Sequence, residues 1–111
     1  MLAKQNRIRK KKDFDFVFKK GASLKGSFFL TKIAKNKLGI SRFGFIVSGK
    51  VSKKAVERNK IKRRASESVR RNFERIRNGL DVVFIALPKA RTADYKDIEG
   101  DILNLLKKQN V

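Results

Sequence analysis

The sequence predicts an α+β or α/β sandwich, and three observations predict it. Residues 80–87 (Leu-Asp-Val-Val-Phe-Ile-Ala-Leu) form a nearly continuous apolar run. That is the pattern of a central strand buried on both faces. Two segments rich in β-forming residues come earlier in the chain, and three further segments carry apolar residues at helical spacing. The resulting order of helix, strands, long helix, strand and helix packs as helices on a sheet.

Each element has its own signal. Residues 11–20 place Phe14, Val17 and Phe18 on one helical face and stop at Gly21, a reasonable end for a helix. Residues 27–34 contain Phe28, Phe29, Leu30, Thr31 and Ile33, followed by a turn at Asn36-Lys37-Leu38-Gly39. Residues 42–48 alternate Phe43, Phe45 and Val47 against Gly44 and Ile46. They are expected to form an antiparallel partner for the strand before them. In the long basic stretch after Gly49, the residues Ala55, Ile61, Ala65, Val69, Phe73 and Ile76 share an arc of roughly 120° on a helical wheel. Pro88 closes the last strand, and Thr92 is expected to cap a final helix whose stripe is Tyr95, Ile98, Ile102 and Leu105 or Leu106. With 111 residues and no internal repeat or linker, residues 1–111 are expected to form one domain with one modest core.

Charge sets the class of partner. Lys and Arg number 30 against 10 acidic residues, a net charge of +20. The excess runs through the periodic segments and is not confined to a tail, so a polyanion is the expected partner. No apolar run approaches the roughly 18 residues of a membrane span, so no membrane partner is expected. The chain has neither His nor Cys. A His general base, a His or thiolate metal site and a disulfide are therefore impossible. Most carboxylates sit beside a cation, as in Lys12-Asp13, Glu57-Arg58 and Glu74-Arg75. No catalytic residue and no protein metal site are expected. The lack of Cys and of a signal-type apolar start points to the cytoplasm.

The most informative stretch lies between the strands. It runs Lys53-Lys54-Ala55-Val56-Glu57-Arg58-Asn59-Lys60-Ile61-Lys62-Arg63-Arg64 and continues to Arg70, Arg71 and Arg77. Asn59, Arg63, Arg70 and Arg77 fall on one line of the wheel, and Lys60, Arg64 and Arg71 on another. Glu67 and Glu74 can pair with some of these cations. The remainder repel one another unless phosphates relieve them. Arg grips phosphate oxygens with a planar fork, and Asn59 can read a base edge or a 2′-hydroxyl.

At this point the chain resembles a known family. The run from Ala55 to Arg63 is similar to the Ala-Val-x-Arg-Asn-Arg-x-Lys-Arg signature of the protein subunit of bacterial ribonuclease P. Asp13, Phe14, Val17 and Phe18 resemble that family's opening helix, and residues 43–48 and 80–89 resemble the strands around the signature. Departures occur at Lys53 and Lys54 (usually Gly-Asn), Lys60 (usually Arg), Ser66 (usually Arg) and Val69 (commonly Phe).

The resemblance implies a particular fold and role. The fold would be a two-layer α+β sandwich of order α-β-β-(β)-α-β-α, with about four strands in a mixed sheet. Its βαβ crossover would be left-handed, against the usual rule for such connections. The chain would bind a catalytic RNA and the 5′ leader of precursor tRNA, supporting endonucleolytic release of that leader. The RNA would be the catalyst and would hold the magnesium ions (Mg2+). RNA-binding residues would be Lys53, Lys54, Arg58, Asn59, Lys60, Lys62, Arg63 and Arg70. Phe14, Phe18 and Thr31 would line a leader cleft. A structural RNA-binding protein of ribosomal type shares the charge and size and is the alternative. A stand-alone nuclease lacks a base, and the β-rich first half argues against a helix-turn-helix DNA binder, so no DNA partner is expected.

Overall fold

The computed structural model describes residues 2–109. Its elements are α1 (Lys11–Lys20), β1 (Ala22–Lys25), β2 (Phe29–Lys35), β3 (Arg42–Ile46), α2 (Ala55–Arg71), β4 (Leu80–Ala86) and α3 (Tyr95–Lys108). The four strands form one mixed sheet in the order β1-β2-β4-β3. The mixed α+β fold read from the sequence is the fold observed.

β4 occupies the centre because both of its faces are apolar. Val82, Val83 and Phe84 are fully buried. It pairs antiparallel with β2 and parallel with β3, so α2 makes a crossover between parallel neighbours. The expected pairing of β2 with β3 is therefore corrected, since β4 lies between them. The hairpin partner of β2 is β1, a four-residue strand, Ala-Ser-Leu-Lys, with too little apolar pattern to announce itself.

Alternation along the strands sends side chains to two unequal faces. On one face Phe29, Phe43, Val82 and Phe84 meet Ile61, Ala65 and Val69 of α2 and Ile98, Ile102 and Leu105 of α3, making the main core. On the other, Ala34 and Val83 meet Ile8 and Val17, with Phe14, Phe18, Ile46 and Ile85 packed around them. Helix α1 covers only part of this second face. The apolar arc of α2 is shorter than its sequence suggests. Ala55 is exposed, and Phe73 and Ile76 lie past the helix end, in and after the 3-10 turn Phe73–Arg75.

Thr92 does not cap α3. It ends the 3-10 turn Pro88–Thr92, and Asp94 is the cap, accepting from the Asp97 amide at 2.9 Å while Asp97 accepts from the Asp94 amide at 3.2 Å. This reciprocal pair satisfies two orphan donors of the first turn.

Two carboxylates tie distant segments together. Asp101 of α3 accepts from the amides of Ser27, Phe28 and Phe29 at 2.8, 2.9 and 2.9 Å. It thereby seals the β1–β2 turn against the helix layer. Gly26 makes room for this carboxylate, because a Cβ at this position would sit 2.6 Å from Asp101 Oδ1. Asp81 of β4 accepts from both Nε and Nη2 of Arg42, at 2.9 and 2.7 Å, and from the side-chain NH₂ of Asn36 at 2.8 Å. Arg42 also reaches Asp13 of α1 at 3.4 Å, which fixes the first turn of α1 over β3.

Candidate nucleic-acid interface

The basic signature folds as the first half of α2, and the turn before it is built around Ser52. The Ser52 hydroxyl accepts from the Lys54 amide at 3.1 Å and donates to Glu57 at 2.5 Å. That hydrogen bond, with the charges of Arg91, Lys54 and Lys60 nearby, holds the Glu57 carboxyl below its ordinary value. Arg58 turns back and donates to the Ser52 carbonyl at 3.0 Å. It is half-buried, so part of its role is to hold this turn.

Lys53, Lys54, Asn59, Lys60, Lys62 and Arg63 are all exposed around the same end of the helix. Arg70 stands eleven residues beyond Asn59, about 16 Å along the axis, and is paired with Glu67. It does not join the cluster. Arg64 also serves the fold, donating to the Ala93 carbonyl at 3.0 Å.

Asn59, Lys62 and Arg63 open onto a groove of about 340 Å³ beside β3, whose outer edge is bridged at Phe43 by Arg7. Its other walls are Phe14, Arg7, Ile8, Gly44 and Phe45. The ring of Phe14 lies directly over Gly44, where a Cβ would come within 2.5 Å of it. A residue with any side chain at 44 would force the Phe14 ring out of this position. Arg7 adds a buried Nε with no hydrogen-bond partner among the described residues, an open donor that an anionic or polar ligand would satisfy. Aromatic surface, an amide and several cations thus converge, which suits single-stranded nucleic acid.

Phe18, one turn beyond Phe14, is half-buried against the smaller core. Around it the sheet face left open by α1 presents Leu30, Lys32, Ile46 and Ile85, all partly exposed. These share one face by register, with Lys32 opposite Val83, Leu30 opposite Ile85 and Ile85 opposite Ile46. Thr31 is not among them. It is fully buried on the opposite face with Phe29, and its hydroxyl finds no partner among the described residues. The structure therefore does not bring Thr31 to the face of Phe14 and Phe18, where Lys32 and Leu30 stand instead. The signal was available in the strict period of two, since Phe29 and Thr31 must point the same way.

Among the described residues no group of three or more carboxylates could hold a metal ion. The acids that matter structurally are already engaged: Asp13 and Asp81 by Arg42, Asp101 by three amides, Glu57 by Ser52 and Glu67 by Arg70. No helix among the described residues is long and apolar enough to cross a membrane.

Fold and surface together define a small basic α+β protein with a cationic helix end beside an aromatic groove. The family model for ribonuclease P matches residues 2–110. The ribonuclease P protein component of Clostridium botulinum (strain 657 / Type Ba4) is 43% identical over 109 residues, covering 97% of each chain. Among solved structures, the RNase P protein of Thermotoga maritima superimposes with a TM-score of 0.84 at 38% identity, covering 92% of this chain and 96% of that one. A Staphylococcus aureus RNase P protein mutant, described as defective in mRNA degradation activity, superimposes with a TM-score of 0.90 at 33% identity, covering 97% and 91%. The chain belongs to the ribonuclease P protein family.

Proposed function

We propose that this chain is the protein component of a cytoplasmic ribonuclease P, docking on a catalytic RNA and holding the 5′ leader of precursor tRNA during its endonucleolytic removal. The observation that carries the reading is the groove in which Phe14 meets Asn59, Lys62 and Arg63. Lys53, Lys54 and Lys60 surround the same helix end and extend its positive field toward the catalytic RNA. The leader would run from this groove across the open sheet face beneath Phe18, with Lys32 available to its phosphates. Magnesium would belong to the RNA, where it would supply metal-assisted phosphodiester hydrolysis. The protein's contribution is to bring two polyanions together and to orient one of them.

Replacing Phe14 and Phe18 together with Leu tests the leader path. Swaps of similar volume usually cost under about 1.5 kcal/mol of stability, whereas the lost π faces are worth roughly 1–3 kcal/mol per stacked base. The assembled complex should bind leader-bearing precursor tRNA more weakly and mature tRNA almost unchanged. Equal losses for both, with a lowered melting temperature, would make these rings core and nothing more.

The purified protein without RNA partner is expected to leave precursor tRNA and mRNA intact in magnesium. The mRNA degradation activity attached to the Staphylococcus aureus protein gives this assay a concrete opposing outcome. Cleavage that survives nuclease treatment of the preparation to remove all RNA would show a catalytic site in the chain itself.

A further inference from the structure

The outer face of α1 carries an aromatic ring that the fold does not use. Phe16 is 47% exposed and belongs to neither apolar cluster, although Val17 beside it is fully buried. At about 100° per residue, Lys12, Lys19 and Lys20 fall on the same side of the helix as Phe16, roughly opposite Phe14 and Phe18. All three lysines are exposed. Asp15 flanks the patch and can offset one of them, Lys19, at i,i+4. A Phe left half exposed gains little in the folded monomer, and lysines around it repel one another. Both costs disappear when the ring stacks on a base and the ammonium groups meet phosphates.

We propose that Phe16, Lys12, Lys19 and Lys20 form a second RNA contact, which takes an unpaired nucleotide of the catalytic RNA. The proposal rests on the reading of the chain as an RNA-docking subunit. It assigns this face to the catalytic RNA because the leader path lies on the other side of α1. A helix is about 10–12 Å across, so a strand lying under Phe18 does not also place a base on Phe16.

The chain contains no Trp, so Phe16→Trp creates a single stacking reporter. Leu38→Trp, at another exposed position, in the turn after β2, serves as control. Each variant is titrated with the organism's ribonuclease P RNA transcribed in vitro, with binding followed separately by a gel shift. Fluorescence of the Phe16→Trp protein should be quenched as the RNA binds, before any precursor tRNA is added, while the Leu38→Trp signal stays constant. Phe16→Leu should lower affinity for that RNA about fivefold or more without changing the melting temperature.

Quenching that begins only with leader-bearing precursor tRNA would move the site to the leader and overturn the assignment. So would quenching that grows with protein concentration in the absence of RNA, which marks self-association, or binding without any quenching. No binding of the RNA in the gel shift would instead bring down the subunit reading on which the proposal rests.

Discussion

Replacing Asp101 with Ala is expected to destabilise the protein by about 3 kcal/mol. Three backbone amides donate to this carboxylate, and their surroundings differ. Ser27 is exposed and can turn to water, Phe28 is partly so, and Phe29 is buried at 1% exposure. The Phe29 amide is left without an acceptor, which alone costs about 1–3 kcal/mol. The loosened turn also weakens the start of β2. The melting temperature should fall by about 10 °C or more, since 1 kcal/mol shifts a domain of this size by several degrees. Asp101→Asn should cost less, because one oxygen still serves the two amides on Oδ2 while its NH₂ opposes Ser27. The close approach of Gly26 supplies an internal check. Gly26→Ala clashes with Asp101 Oδ1 in the natural protein but has room once the carboxylate is gone, so the two substitutions should be far from additive. Additive losses would mean that Asp101 does not hold the turn.

The second large effect concerns RNA assembly. The triple substitution of Asn59, Lys62 and Arg63 with Ala should weaken binding to the catalytic RNA on the order of hundredfold, given the usual worth of charge-assisted hydrogen bonds. Arg58 is left in place because it holds the Ser52 turn. The three altered side chains are exposed, and exposed substitutions usually change stability by less than about 0.5 kcal/mol. The fold therefore stays intact. The salt dependence should change in step with charge: removing two cations lowers the log–log slope by about 1.4 on single strands and about 1.8 on duplex. An affinity and slope equal to those of the natural protein, measured over the same salt range, would remove this helix end from the interface.

Much of this arrangement was legible from residue pattern. The apolar run of β4 declared a central strand, the spacing of Phe14, Val17 and Phe18 declared α1, and the cations of 53–63 declared an exposed basic helix end. What was not legible depends on contacts between residues far apart in sequence. Asp101 meets the β1–β2 turn across more than seventy residues, and no local pattern foretells such a contact. β4 slips between β2 and β3, which neighbour each other in sequence and so looked like a hairpin. Thr92 looked like a cap by residue type, but Asp94 with Asp97 three residues on completes the reciprocal pair. The misplacement of Thr31 was of another kind, because period-two alternation placed it beside Phe29 in the core from the start.

The RNA that the protein carries in its native cells decides most directly what it does. The protein can be isolated under mild conditions from its native cells and the bound RNA sequenced. The expected result is a single structured RNA of a few hundred nucleotides that cleaves precursor tRNA at the mature 5′ end, more readily at low magnesium when this protein is added. Recovery of ribosomal RNA in its place, with no such activity in the bound fraction, would contradict the account and identify a ribosomal protein instead.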